Sequence, residues 1–343
     1  MSAELLRVED LVIHYRTREG PIRAVDDISF CMEDGKNLGF VGESGCGKTT
    51  AAKAIMKILP PNGEIVGGQI LFRGRDIVPM EPKEIRQLRW KEIAMITQSA
   101  MNALDPVHRV GNQIVEAIKT HLPISTREAM MRVRELFGIV GLDTHRINDY
   151  PHQFSGGMKQ RVIIAMALAL NPSLIIADEP TTALDVLVQD RILMQLNELQ
   201  QRLRMAMIVI THDISVIAET CSRVAVMYAG KIMEYGDVKE VFKNPFNPYT
   251  LGLLNAFPSV VGEKRELISI GGFPPNLLHP PVGCRFWERC PFSTERCEHE
   301  SPPMLKVVAS HFSACLEIHR IEEMRFLSTR PEIWREKAHR RVS

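Results

Sequence analysis

The chain has 343 residues, with 42 Lys and Arg against 41 Asp and Glu, a formal net charge of +1. That balance supplies no global attraction to nucleic acid or anionic lipid. The length suits about two domains, one catalytic and one appended.

The start, MSAELLRVEDLVIHY, has no basic stretch followed by an apolar one, so no signal peptide is expected. LVIHY and ISFCM are predicted strands. NLGFVG is an apolar strand running into a glycine-rich loop, and KTTAAKAIMKIL is a helix stopped by Pro60-Pro61. QILFRG and IAMITQ return to strand. Residues from about Ser99 to Phe154 look mainly helical, with EAMMRVRELFGIVGL carrying apolar positions at helical spacing. From Ser155, helix and strand alternate through SGGMKQRVIIAMALAL, SLIIAD, VLVQDRILMQLNELQQRL and MAMIVITHD. Such alternation predicts an α/β fold with a mostly parallel sheet covered on both faces. The longest apolar run, VIIAMALAL, is far short of the roughly 20 apolar residues of a membrane span. A soluble protein is expected, with any membrane association running through a partner. RVAVMYAGKIMEYG reads as a hairpin turning at Ala229-Gly230. Beyond Pro245 the sequence becomes proline-rich and loop-like, so a domain boundary is expected near 245.

Gly42 to Thr49, GESGCGKT, fits the G-x-x-x-x-G-K-[ST] pattern between a strand and a helix. Gly42, Gly45 and Gly47 let the backbone curl, so that the N–H groups of Glu43, Ser44, Cys46 and their neighbours face one anion at a helix amino terminus. Lys48 reaches the β- and γ-phosphates, the Thr49 hydroxyl suits Mg²⁺, and Thr50 completes the nucleotide-binding run. Cys46 fits as a tolerated small side chain, and also as an alkylation-sensitive thiol beside positive charge. SLIIADEP delivers Asp178 and Glu179 at the carboxyl end of an apolar strand, where ligands gather in open α/β sheets. Asp178 suits Mg²⁺, and Glu179 suits orienting and polarising the attacking water.

FSGGMKQR, Phe154 to Arg161, lies shortly before that acidic strand. In this order it resembles the signature motif of ABC-type ATPases. Tyr15 resembles the aromatic that stacks on adenine, and Gln98 the Q-loop glutamine that shares Mg²⁺ with Thr49 and Asp178. Ala183-Leu184-Asp185 resembles the D-loop, and His212 the catalytic switch histidine. The resemblance covers the chain to about residue 245. It implies a P-loop NTPase of the ABC type with a RecA-like core, an antiparallel β subdomain and a helical subdomain over about 99–165. It also implies an ATPase using ATP and Mg²⁺. The usual signature is LSGGQ; here Met158 replaces an amide with a thioether that lacks its donors. Ser155, Gly156 and Gly157 are intact. FSGGM resembles the variant common in ATP-binding subunits of peptide-type importers, where the signature and Asp185 act in trans across a head-to-tail dimer.

Seven cysteines, an odd number, in a chain without a secretion signal argue against a disulfide scaffold. Four of them, Cys284, Cys290, Cys297 and Cys315, run C-x₅-C-x₆-C-x₁₇-C. Zinc sites usually pair ligands more closely. The spacing leaves open a [4Fe–4S] cluster, zinc, or free thiols in a tail with little apolar core. NPFNPYTLGLLNAFPSV and IGGFPPNLLHPPVGCRFWERC resemble the carboxyl-terminal extension of oligopeptide/dipeptide-permease ATPase subunits, placing a small cysteine-rich extension at 246–343 after an ATPase domain at 1–245. The resemblance favours the [4Fe–4S] cluster, with zinc as the alternative and a structural role as the expectation. It implies an importer subunit on the cytoplasmic face of the membrane. The implied partners are a homologous ATPase subunit, two membrane permease subunits and, indirectly, an extracytoplasmic solute-binding protein, with no nucleic acid. Three rivals fit less well. DNA-repair ABC ATPases carry a long coiled-coil insertion, for which there is no heptad run here. Translation ABC ATPases carry two cassettes, and the importer-like tail disfavours an exporter.

Overall fold

A computed structural model of the chain describes residues 3–97, 103–180, 186–256 and 268–339. The first half runs β1 (Glu4–Thr17), β2 (Gly20–Glu33), β3 (Asn37–Val41), α1 (Lys48–Ile55), β4 (Gly63–Phe72), β5 (Arg75–Asp76), α2 (Pro82–Leu88), β6 (Ile93–Ile96), α3 (Val110–His121), α4 (Thr126–Ile139) and α5 (Gly156–Ala167). It continues β7 (Leu174–Asp178), α6 (Val186–Leu203), β8 (Ala206–Ile210), α7 (Ile214–Thr220), β9 (Arg223–Tyr228), β10 (Lys231–Asp237), α8 (Val238–Lys243) and α9 (Pro248–Asn255). The last elements are α10 (Glu295–His299), β11 (Leu305–Val308), β12 (His311–Ser313), α11 (Ile321–Ser328) and α12 (Pro331–His339).

Two compact units form. The first comprises Met1–Leu5, Met32–Asn37 and Pro79–Thr211. Its strands lie in the order β8-β7-β6, all parallel. Every residue of β7 and β8 is buried, which is why LIIAD and AMIVI read as continuous apolar runs rather than alternating ones. The helical stretch expected after Ser99 is α3, α4 and two short 3₁₀ turns at Thr144–Asn148 and Pro151–Gln153. Ser125 and Glu128 close a capping box at the start of α4: the Glu128 N–H donates to Ser125 Oγ at 3.2 Å, and the Ser125 N–H to Glu128 Oε2 at 2.8 Å.

The second unit comprises Leu6–Cys31, Leu38–Val78 and His212–Ser343. One sheet has the order β2-β1-β4-β5, with β1 antiparallel to β4 and β4 to β5. Another has the order β11-β12-β10-β9-β3, antiparallel except for β3 against β9. The hairpin expected at Ala229-Gly230 is present. Both residues have positive φ, 47° and 84°, the geometry whose twist matches paired strands. α1 ends earlier than expected, because Lys57 turns to φ 48° and its ammonium donates to the Val78 carbonyl at 2.8 Å.

The largest difference from expectation lies beyond Pro245. β12 extends the sheet along β10, with Glu234 opposite Ser313. Asn247 caps α9, and its amide donates to the Met233 and Ala314 carbonyls at 3.1 and 2.9 Å. Tyr249, Phe286, Met324 and Trp334 are buried. Trp334 is edge-on to Phe292 at 6.4 Å and donates from Nε1 to the Ser328 carbonyl at 3.0 Å. A tail with little apolar core was expected; instead each such buried side chain contributes roughly 1.5–3 kcal/mol of burial. The apolar residues are simply too scattered in sequence to announce themselves.

Candidate functional site

β3 is buried throughout and pairs in parallel with β9, Val41 opposite Val226, which fixes where its carboxyl end emerges. A Cβ on Gly42 would stand 2.0 Å from the Met227 carbonyl oxygen, and one on Gly47 2.5 Å from that of Ala24; both residues have positive φ. Only glycine lets the backbone pass there. Gly47 is the N-cap of α1, so the first-turn amides of that helix open onto the loop.

Lys48 is buried, and its ammonium donates to the carbonyls of Gly42 and Glu43 at 2.7 and 2.8 Å. Cys46 Sγ lies 3.4 Å from the same nitrogen. Burial pushes the Cys46 thiol up, and the Lys48 charge only partly offsets this. With Cys46 only 4% exposed, the expectation of an alkylation-sensitive thiol is corrected: the neighbouring cation alone does not make a buried sulfur a nucleophile. Ser44 and Gly45 are exposed and Thr49 is half-buried. Tyr15 and Thr50 are brought together, Oη to Oγ1 at 3.2 Å. His212 is exposed, immediately ahead of Asp213, the N-cap of α7.

In the first unit, Asp178 ends β7 and is 2% exposed. Glu179 follows at φ 45°, and its N–H donates to the Ile210 carbonyl at 2.8 Å. A glutamate in the left-handed region ahead of a proline is strained, a condition that concentrates at functional sites. Ser155 is exposed and caps α5, its Oγ accepting from the Met158 N–H at 3.4 Å. Gly156 and Gly157 form the first turn of that helix. The Met158 sulfur accepts from Arg146 Nη1 at 3.4 Å. Arg146 also donates to Asp149 Oδ2 and the Gln153 carbonyl, and lies over the Phe154 ring at 4.9 Å. No sequence motif points to Arg146, which ties both flanks of the signature together. Gln98 and the Ala183-Leu184-Asp185 stretch lie outside the described residues.

All seven cysteines are free thiols. Cys284, Cys290, Cys297 and Cys315 line one cavity of about 20 Å³, with Phe286 and Met324 among its apolar walls. The Cys284 N–H donates to the Cys297 carbonyl at 2.8 Å. Burial, and then the other thiols nearby, push Cys290 well up. Burial likewise takes Cys284 to about 11 and Cys315 to about 12. Among the described residues, no three His, Cys, Asp or Glu side chains stand close enough together to hold a metal ion as placed.

Two further residues reach the phosphate loop from beyond Pro245. Tyr249 Oη accepts from the Glu43 N–H at 3.0 Å, and Arg289 pairs with the Glu43 carboxylate at 2.7 Å. Among the described residues no helix is long and apolar enough to cross a membrane.

Residues 25–182 match the family ABC transporter, and residues 233–297 match Oligopeptide/dipeptide transporter, C-terminal region. The oligopeptide transport ATP-binding protein OppD of Bacillus subtilis is 46% identical over 92% of this chain and 89% of its own length. The dipeptide transport ATP-binding protein DppD of Lactococcus lactis is 45% identical over 90% of each. Among solved structures, the ADP- and phosphate-bound dimer of the ATP-binding cassette MJ0796 superposes with a TM-score of 0.62 at 25% identity, covering 68% of this chain and 99% of that one. The chain has the ABC cassette fold, and it belongs to the ABC-transporter ATPases, among the oligopeptide/dipeptide ATP-binding proteins.

Proposed function

We propose that this ATPase energises an importer of peptides or a related small solute from the cytoplasmic face of the membrane. It pairs head to tail with a homologous ATPase subunit beneath two permease subunits, and a solute-binding protein delivers the cargo from the other side. The named roles of the similar proteins in oligopeptide and dipeptide transport support the class. The observation on this chain that carries the docking is a groove of about 530 Å³ in the first unit, lined by Trp90, Asp105, His108, Gln113, Thr120 and His121. It is formed largely by α3 and the segments flanking it, and its mixed polar and aromatic lining suits a short helix presented by a permease subunit.

In this reading residues 1–245 are the ATPase domain, with the helical part near 99–165, and 246–343 the extension. Lys48 and the loop amides hold the phosphates, and Thr49, Asp178 and Gln98 serve Mg²⁺. Glu179 is the general base and His212 senses the γ-phosphate. Ser155, Gly156 and Gly157 present a hydroxyl and helix amides to the partner's ATP, with Asp185 beside them. Arg146 holds Met158 by its sulfur, so the missing amide's place in the signature is filled by a side chain already engaged. Reconstituted with its permease and binding protein, the chain should hydrolyse ATP faster when a peptide pool is supplied. Copurification with ribosomes or DNA, without integral permease subunits, would overturn the assignment.

The four cysteines of the extension hold a [4Fe–4S] cluster, with zinc as the alternative occupant. All four line one buried cavity, and four thiols are the donor set of iron–sulfur ligation. Loading would have to draw them together and widen that cavity, because no three of them stand close enough to hold a metal ion as placed. Burial raises Cys284, Cys290 and Cys315, so uptake at these thiols must release protons. Since the tail has its own apolar core, the cluster adds order rather than supplying all of it. Anaerobically purified protein is expected to contain iron and acid-labile sulfide. Stoichiometric zinc without iron would assign the site to zinc.

A further inference from the structure

Arg289 is 8% exposed and sits beside Cys290, far from the phosphate loop in sequence. It nevertheless grips the loop's second residue with both arms: Nη1 donates to Glu43 Oε2 at 2.7 Å and Nη2 to Glu43 Oε1 at 2.9 Å. The other donors are used as well. Nη1 reaches Tyr228 Oη at 3.1 Å, Nη2 the Ile270 carbonyl at 3.2 Å, and Nε the Gly271 carbonyl at 2.8 Å. All five N–H donors of a guanidinium therefore have acceptors. The Tyr228 ring lies 5.5 Å from the same guanidinium and packs on Tyr249 at 4.7 Å. Tyr249 in turn accepts the Glu43 N–H at 3.0 Å. Glu43 is thus held at its backbone by Tyr249 and at both carboxylate oxygens by Arg289, two residues from beyond Pro245.

A fully donated, bidentate pair of this kind is costly to build, because the Arg289 charge leaves water almost entirely while the Glu43 carboxylate stays 24% exposed. Its geometry is also specific, since only a planar fork meets both carboxylate oxygens at once. It does not lie along a strand or helix that needs it for pairing. What it fixes is the residue between Gly42 and Ser44, whose carbonyl also accepts from the Lys48 ammonium.

We propose that Arg289 is a positioning residue for ATP binding: through Glu43 it sets the phosphate loop in its receptive shape, with Tyr249 as the second clamp. The carboxyl-terminal segment then takes part in nucleotide binding by the same polypeptide. The proposal rests on the phosphate loop being the nucleotide site, but it stands apart from the transport reading, because its test needs no permease or solute.

Charge alone predicts opposite effects for the two partners. Removing the Glu43 carboxylate near a phosphate site should tighten nucleotide binding, whereas removing the Arg289 cation should weaken it. A positioning role predicts that both weaken it. The dissociation constant of Mg–ADP is measured on the full chain by calorimetry for Glu43→Gln, Arg289→Lys, Arg289→Ala and the double variant Glu43→Gln/Arg289→Ala. We expect about a tenfold loss for Glu43→Gln and for Arg289→Ala, from one lost charge-assisted pair. Arg289→Lys should fall between wild type and Arg289→Ala, and the double variant should bind no worse than the weaker single. Thermal midpoints taken alongside separate folding from binding. If Arg289→Ala does not fold, Glu43→Gln and Arg289→Lys decide. Wild-type or tighter Mg–ADP binding by Glu43→Gln, or losses that add in the double variant, would overturn the proposal.

Discussion

Glu179→Gln is expected to lower ATP turnover about 10²- to 10⁴-fold, the range associated with a positioned general base, while Mg–ATP binding is kept. The substitution preserves length and shape and removes only the ability to accept a proton from water. The backbone around it makes this a clean comparison. β7 is buried along its whole length and paired in parallel on both sides, Asp178 opposite Ile210. The Glu179 N–H is fixed on the Ile210 carbonyl. The φ of 45° costs on the order of 1–3 kcal/mol for a residue with a side chain, so the surrounding strands are over-determining where this carboxylate stands. Glutamine suffers the same strain, and the variant should unfold at nearly the same denaturant concentration as wild type. Single-turnover hydrolysis and nucleotide filter binding on the assembled complex separate the two effects. Turnover within a few-fold of wild type would remove Glu179 from the role of base. Loss of Mg–ATP binding in parallel would place it with Asp178 as a metal-facing residue instead.

The parts of the site that were legible in the sequence are those written in consecutive residues. GESGCGKT announces itself because a phosphate loop needs glycine at fixed offsets, and contacts at Gly42 and Gly47 that no Cβ could survive give the reason. SLIIADEP is legible because a parallel strand buried on both faces has no polar alternation to disguise it. The partners of Glu43 were not legible: Arg289 lies 246 positions away and Tyr249 206. No local rule connects such residues. Cys46 shows the opposite failure. Its sequence neighbour Lys48 suggested a reactive thiol, but burial, which sequence spacing does not report, dominates. The tail misled by composition, since prolines and glycines mark its turns while Tyr249, Phe286, Met324 and Trp334 meet only after the chain has folded back.

Among stability effects the largest is expected at Glu234 and His311. His311→Ala should cost about 3–5 kcal/mol, the usual penalty for removing one member of a buried charged or hydrogen-bonded pair. Glu234 is 0% exposed and His311 1%. His311 Nε2 and Glu234 Oε1 are 2.6 Å apart, and the same oxygen accepts from the Phe246 N–H at 2.6 Å. Burial pushes the Glu234 carboxyl up, opposed by the hydrogen bond from His311. Glu234 Oε2 and His311 Nδ1 have no hydrogen-bond partner within bonding distance among the described residues, so without the imidazole the carboxyl is left with the Phe246 N–H and the nearby Thr250 hydroxyl. The pair ties β10 to β12 and to the turn that precedes α9, where Phe246 stands edge-on to the His311 ring at 5.0 Å. Replacing both by apolar residues, Glu234→Leu with His311→Leu, should recover most of the loss, because it removes the desolvation penalty along with the bond. Urea unfolding followed by tryptophan fluorescence reads this directly, since Trp287 and Trp334 lie in the same unit. A His311→Ala variant within about 1 kcal/mol of wild type would fall below the range for a buried pair. It would mean that the carboxyl finds water or another donor once the imidazole is gone. A double leucine variant less stable than the single would show that the pair is net stabilising rather than a cost the fold carries for holding β12 in register.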